Sequence, residues 1–591
     1  MTTQNQATAP EAAREPRRVG RIVSVTGAHA VILADQDGDP RAKTLEIGTL
    51  LKVDTPRAVC LSIVSAMSSP VPSHAAGEAE LRIVEVEFLG ELPKDPDGAP
   101  LAFRRGVSCY PSLGDVAMRA SKEELEKAYA CDSASAVRLG HIAQDEAIPA
   151  MVKIDDLLGK HFAILGATGT GKSCTLALLL RRILERSPQG HLLLLDVHRE
   201  YAAAFKDMAE VITPADLHLP FWLLTFEEIV EVLIGQQTSR EADIEVLREI
   251  IPTAKLRYMK NRRRERAAPG RPREAFDPAA VGVDTPIPYR SSDLIAILDE
   301  RLEKLGAHGD PAPCKRLKAR LEAINRDPRY GFMFGSLTVE DTMSQVLSRL
   351  FRIPVNGKPI AIVELGGLPS EIINVVVSVL ARLAFDFGIW SAGRVPITFV
   401  CEEAHRYVPV GKSLGFEPAK RAISRIAKEG RKYGLSLGIV SQRPAELDAT
   451  ILSQCSTIFS MRLANERDQQ ILRAGVSDAA ASLLDVMPAM GMGEAIAFGE
   501  GVGLPARIKI DTIAPEDLPM SSSASFTRSW ARELPDGSFL QDIVQRWRSQ
   551  NRTPDSAGFE FGGGEAQAEA GFAPPGEDIQ TLARLIRQFR G

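Results

Sequence analysis

The chain has few cysteines, and none is arranged for chemistry. The seven, at positions 60, 109, 131, 174, 314, 401 and 455, include no CxxC pair and no cluster with histidine of the kind that holds zinc. This excludes a disulfide framework and a cysteine-rich metal module, and it predicts reduced thiols in a cytoplasmic protein. Cys401 stands beside two glutamates, but its apolar predecessors mark it as a buried strand residue rather than a nucleophile. No apolar run is read as approaching the roughly 18 to 20 residues of a membrane span, so no membrane partner is expected. Residues 1–18 lack the apolar stretch of a secretory signal and read as a disordered lead-in. Nor is there an excess of charge: 71 Lys and Arg against 76 Asp and Glu leave −5. Any contact with nucleic acid must therefore come from local basic patches.

What is present is ample chain. The 591 residues are 45% hydrophobic and 25% charged, as in ordinary globular proteins. At about 150 residues each they suggest about three or four domains. Residues 19–150 read as a small barrel, with short β segments at 19–25, 30–34, 50–53, 59–64 and 81–92 separated by Gly, Pro and Asp turns. From 151 to 515 the pattern becomes α/β. Apolar runs at His191–Asp196, Pro359–Glu364, Pro396–Glu402, Leu435–Ser441 and Thr457–Leu463 lack polar alternation, which predicts a parallel sheet covered on both faces. Between about 205 and 345 the rhythm is helical, at 226–234, 241–264, 291–305 and 313–324, and this reads as an inserted subdomain with a loop at 267–288. Residues 516–591 carry amphipathic pieces at 539–547 and 579–589, joined by a Gly-rich linker over 556–576.

One stretch carries the chemistry. Gly166-Ala-Thr-Gly-Thr-Gly-Lys172-Ser173 follows the apolar run His161–Leu165 and opens the apolar-periodic segment 174–184. Strand, glycine loop and helix in that order are what a phosphate cradle requires. The backbone from Gly166 through Thr168, Gly169, Thr170, Gly171, Lys172 and Ser173 to Cys174 would turn its amides around phosphate at the positive end of a helix. Lys172 would hold the β- and γ-phosphates and Ser173 would ligate Mg²⁺.

The complement of such a loop is an acidic strand end, and Ile397-Thr-Phe-Val-Cys-Glu402-Glu403-Ala-His405 supplies one. Glu402 would hold the Mg²⁺ shell through water, and Glu403 would act as base toward the attacking water. Gln442, after the apolar run 435–441, is the candidate γ-phosphate sensor; satisfying backbone groups in a Pro turn is its plainer role. Arg431 sits near a helix end, where it is either a cation pushed across a subunit boundary or a surface charge at a helix C-terminus. Arg425, Lys428 and Lys432 would share one helical face. His198, in Asp196-Val-His-Arg-Glu-Tyr201, falls where open α/β sheets bind ligands, and His405 is placed to couple hydrolysis to movement. The runs at 255–264 and 315–318 are rich in Lys and Arg, and read either as a phosphate-backbone contact or as solvated faces.

Taken in order, these segments, together with Ala427-Lys-Glu-Gly-Arg431-Lys-Tyr-Gly434 and Ser441-Gln442-Arg443-Pro444, resemble the HerA-type hexameric DNA translocases of the HerA/FtsK branch of P-loop motors. Gly493-Glu-Ala-Ile-Ala-Phe-Gly499 is similar to that family too. The resemblance implies a RecA-like α/β P-loop core, an N-terminal HAS-type barrel and a helical insertion. It further implies a ring of six subunits around double-stranded DNA, with ATP and Mg²⁺ at each boundary. The implied partner is a NurA-like nuclease or, in antiphage defence, another effector such as a sirtuin-like NADase. Glu402 stands where many P-loop motors carry Asp, a feature HerA relatives share. An ATP-switched scaffold for an effector enzyme and a secretion ATPase of the same broad group are the competing readings.

Overall fold

In the computed structural model, strands Arg18–Val25 (β1), His29–Ala34 (β2), Leu50–Asp54 (β3), Ala58–Ser68 (β4), Ile83–Pro93 (β5), Arg104–Arg105 (β6) and Val116–Arg119 (β7) form one sheet. Its order is β2-β1-β7-β3-β4-β5-β6, and an added β2–β5 pairing closes six of the strands into a barrel. The described residues are 18–35, 45–69, 81–132, 134–235, 241–265, 278–305, 310–334, 340–411, 416–474 and 482–520, with 527, 530, 531 and 538–548 beyond them. Residues 1–17 of the lead-in and the 556–576 and 579–589 segments lie outside these, as does the first half, 267–277, of the 267–288 loop. Small β-branched and aliphatic residues alternate inward along the strands, and Ile22, Ile32, Leu51, Val53, Val64, Val84 and Val86 fill the barrel.

The second sheet has eleven strands: Ala136–Ile142 (β8), Asp145–Lys153 (β9), His161–Leu165 (β10), Leu192–Asp196 (β11), Ala209–Ile212 (β12), Ile360–Glu364 (β13), Ile397–Cys401 (β14), Leu435–Ser441 (β15), Cys455–Ser460 (β16), Glu494–Gly499 (β17) and Ala506–Ile510 (β18). Their order is β12-β13-β11-β14-β15-β10-β16-β17-β18-β8-β9. From β12 to β16 the pairing is parallel, and β16 to β9 continue antiparallel. Strands β10, β11, β14 and β15 are buried along their whole length. This is the outcome that unalternating apolar runs demand.

Two boundaries shift. Strands β8 and β9 pair in the core sheet, so a barrel domain ending at 150 cuts through β9. The long-range partner that draws them there, β18, lies more than 300 residues away in sequence, which local patterning does not reveal. Likewise β12 pairs with β13, so the core sheet continues past 205 before the helical insertion begins. Barrel and core are joined by Arg105, whose Nη2 donates to the carbonyls of Gly499 (2.5 Å) and Val502 (2.9 Å).

One expectation fails outright. Helix Ser370–Trp390 is 21 residues of mean hydropathy 1.9 in its best window, long and apolar enough to cross a membrane by length and composition. It is nonetheless a core helix: Val376, Val377, Leu380, Ala384 and Phe385 are buried against the sheet and the helix Glu417–Glu429. Apolar residues all round are what burial on several sides requires. Its interrupting charges are spent inside the protein, Arg382 binding Glu228 and Asp386.

Residues 524–591 form a second unit, in which the helix Ser538–Arg548 exposes Leu540, Val544 and Trp547.

Candidate functional site

The glycine loop leaves the carboxyl end of β10 and enters the helix Lys172–Arg186 through Gly171, which is left-handed at φ 104 and caps the helix without a side chain. Gly169 also has positive φ, at 75, with open space where a Cβ would stand. Only glycine adopts this backbone without strain. Ala167 N–H is bound to the Arg462 carbonyl, but among the described residues the amides from Gly169 to Ser173 meet no protein acceptor. They are oriented donors at a helix N-terminus, the arrangement that receives phosphate. Lys172 Nζ donates to the loop carbonyl of Ala167 at 3.0 Å. Burial lowers the Lys172 pKa while Glu403, Glu402 and Glu200 act to raise it. The ammonium thus waits among carboxylates, partly desolvated.

The acidic groups converge from β11 and β14. Asp196, fully buried, accepts backbone N–H bonds from His198, Glu200 and Tyr201, which folds the chain after β11 into a tight turn. That turn aims the Tyr201 hydroxyl at Glu402 Oε1 (3.2 Å) on the side of the site where Ser173 stands. Glu402 Oε2 accepts from Val197 N–H at 3.3 Å. Burial raises the Glu402 pKa well above the usual carboxylate range, and Asp196, Glu200 and Glu403 push it further up. Such crowding of like charge is relieved by a cation. Tyr201 thus holds Glu402, one of the proposed metal pair, beside the other, Ser173.

Glu403 adopts a left-handed backbone at φ 48, rare for a non-glycine residue. Its Oε2 is buried without an aligned hydrogen-bond partner, although His405 Nδ1 lies 3.2 Å away. His198 Nε2 is 3.9 Å from the other oxygen. Gln442 reaches the loop itself: its Oε1 accepts from the Thr168 hydroxyl at 2.5 Å. Cys174 lies in the first turn of the loop helix, and Cys401 is a fully buried strand residue whose thiol pKa burial pushes up.

Arg431 is elsewhere. It stands in the turn Gly430–Tyr433 ahead of β15, beside His161 at the start of β10. The glycine loop departs from the other end of β10, about 16 Å away for a five-residue strand. Arg431 is exposed and makes no ion pair among the described residues. Of the basic residues grouped with it, Arg425 stacks its guanidinium 4.2 Å from the Phe385 ring, while Lys428 and Lys432 remain exposed.

Among the described side chains, five cations of the basic runs are tied to partners within the fold. Lys255 is buried, donates to the carbonyls of Val283 and Thr285, and has its pKa lowered to about 8 by burial. Arg257 forks onto Glu300, Arg262 pairs with Asp341, Arg316 with Asp243 and Lys318 with Asp299.

The residues present fit nucleotide with a divalent cation. Unpartnered loop amides face a cradle only glycine allows, and a buried carboxylate pair stands opposite one lysine. Among the described residues no three His, Cys, Asp or Glu side chains could alone hold a metal; Mg²⁺ would be shared with phosphate, lending its charge to the transferred group. Loop, acidic strand end and open sheet define a P-loop ATPase, an ATP-hydrolysing enzyme. Residues 137–384 match the family described as helicase HerA, central domain. The chain is 23% identical over 538 residues to the DNA double-strand break repair helicase HerA of Pyrococcus furiosus, covering 82% of this chain and 88% of that one. It is 28% identical over 411 residues to the protein of the same name from Saccharolobus solfataricus, covering 68% and 73%. Among solved structures it is similar to VirB4 of Thermoanaerobacter pseudethanolicus, at TM-score 0.43 and 16% identity over 66% of this chain and 99% of that one.

Sequence reasoning placed Lys172, Ser173, Glu402, Glu403 and Gln442, and the structure brings all five together. It missed Tyr201 as the hydrogen-bond partner of Glu402, and Thr168 as the partner of Gln442. The signal for Tyr201 was its spacing from Asp196, an acid followed by amides it can bind within five residues.

Proposed function

We propose that this protein is a ring-forming motor that hydrolyses ATP at subunit boundaries and uses it to translocate along double-stranded DNA. One observation carries the reading: the charges that an ATP site requires are divided between opposite edges of one sheet. Asp196, Glu200, Glu402, Glu403 and Lys172 sit at the carboxyl edge. Arg431 stands at the amino edge next to Lys432, in a turn that packs against the helix ending in Trp390, which is 88% exposed. An acidic edge on one copy and a basic edge on the next favour head-to-tail contact, which gives a ring where the rotation between copies closes. Lys172 and the loop amides would hold the phosphates, Ser173 directly and Glu402 through water would hold Mg²⁺, and Glu403 would take the proton of the attacking water. Gln442 releases Thr168 to meet the γ-phosphate, and Arg431 of the neighbouring copy stabilises the charge that develops on transfer. The relatives named as DNA double-strand break repair helicases support DNA as the track; six subunits, a cytoplasmic setting and a nuclease or defence effector as partner are part of the same proposal and rest on the family resemblance alone.

Mixing variants tests the shared site. Arg431→Ala and Lys172→Ala homo-oligomers are each expected to be inactive, whereas mixed rings regain a fraction of wild-type ATPase, because some boundaries then combine an intact loop with an intact arginine. No recovery in rings confirmed to be mixed contradicts action in trans.

A second reading, an ATP-switched scaffold with little movement on DNA, is favoured by the commitment of Lys255, Arg257 and Arg262 to internal partners. It predicts slow hydrolysis indifferent to duplex.

A further inference from the structure

His405 has no task in the scheme above, yet it touches both halves of the site. Its Nδ1 lies 3.2 Å from Glu403 Oε2 and 3.2 Å from Ser441 Oγ, and its side chain is only 12% exposed. Ser441 ends β15, its hydroxyl also accepts from Arg443 N–H at 3.1 Å, and the next residue is Gln442, bound to Thr168 of the glycine loop. Successive residues of a strand point to opposite sides. The tip of β15 therefore reaches the acidic turn through Ser441 and the phosphate cradle through Gln442. Glu403 has room for such a support, since its Oε2 is buried without an aligned donor. His198 offers little, being half-exposed and 3.9 Å from the other oxygen.

We propose that His405 is a positioning residue that makes the orientation of Glu403 depend on the tip of β15, an inference that rests on Glu403 being the base. Nδ1 meets Ser441 Oγ in the geometry described, and a small ring rotation aligns Nδ1–H with Glu403 Oε2 instead. One nitrogen cannot be aligned well with both. When Gln442 leaves Thr168 for phosphate, the shift of β15 passes through Ser441 to the ring, and the base is brought into line only when phosphate is sensed. Detection of the substrate and activation of water are then one hydrogen-bonded network.

The test is steady-state ATPase and equilibrium binding of a non-hydrolysable ATP analogue by the full-length protein carrying His405→Ala, His405→Asn, His405→Gln or Ser441→Ala. Asparagine puts an N–H near the position of Nδ1, and glutamine puts one near Nε2. His405→Ala is expected to lower kcat about 10- to 100-fold, the usual cost of losing the partner that orients a working group, with KM and analogue affinity within about twofold. His405→Asn recovers most of that loss and His405→Gln does not. Ser441→Ala lowers kcat by less, and combining it with His405→Ala adds nothing further, as for two members of one network. Thermal midpoints near wild type separate these effects from unfolding. Wild-type kcat in His405→Ala, or equal behaviour of the Asn and Gln variants, overturns the proposal. Glu403→Gln keeps the two claims apart: if it is inactive while His405→Ala is normal, the base stands and only the role of His405 falls.

Discussion

Lys172→Ala will lose ATP binding and turnover together. Lys172 is the cation that faces Glu200, Glu402 and Glu403 across the cradle, so its removal takes away a charged donor and leaves phosphate opposed by carboxylates. A hydrogen bond to a charged group contributes about 1.5–3 kcal/mol, which corresponds to an affinity loss of about 10- to 150-fold. Turnover should fall further, because the contact strengthens as charge develops on the transferred phosphate. Titration with a fluorescent ATP analogue gives the first quantity and steady-state ATPase the second. ATPase at the wild-type rate removes the loop from the mechanism.

Glu403→Gln should separate the two. The amide keeps the shape of the side chain and so preserves ATP affinity, but it cannot accept a proton, and kcat should fall about 10²- to 10⁴-fold, the range for loss of a general base. Single-turnover measurement with saturating protein shows whether the block lies in the chemical step. The carboxylate is suited to that role by its buried, unaligned Oε2. An oxygen already engaged by two donors would be a poor proton acceptor. A variant that turns over normally would reassign the base.

The parts of this architecture that were legible in the sequence are those written locally. The loop at Gly166–Ser173, the acidic end of β14 and the unbroken apolar runs of β11, β13 and β15 each follow from residues adjacent in the chain. What was hidden is what contact across the fold creates. Strand β8 joins β18 across more than 300 residues, Arg105 docks into Gly499 and Val502, and Arg257 spends its charge on Glu300. The basic run 255–264 shows the limit clearly: composition reports the cations, and only the fold reports that Lys255 is buried. The helix Ser370–Trp390 is the opposite case, a membrane-length segment by composition that packing makes a core helix.

The claim that ATP hydrolysis in a site split between two copies drives movement on duplex is met most directly by the ATPase rate with and without linear double-stranded DNA. A motor whose cycle is coupled to its track is expected to accelerate about tenfold or more, equivalent to about 1.4 kcal/mol off the barrier. A rate unchanged by saturating duplex contradicts the motor and leaves the ATP-switched scaffold.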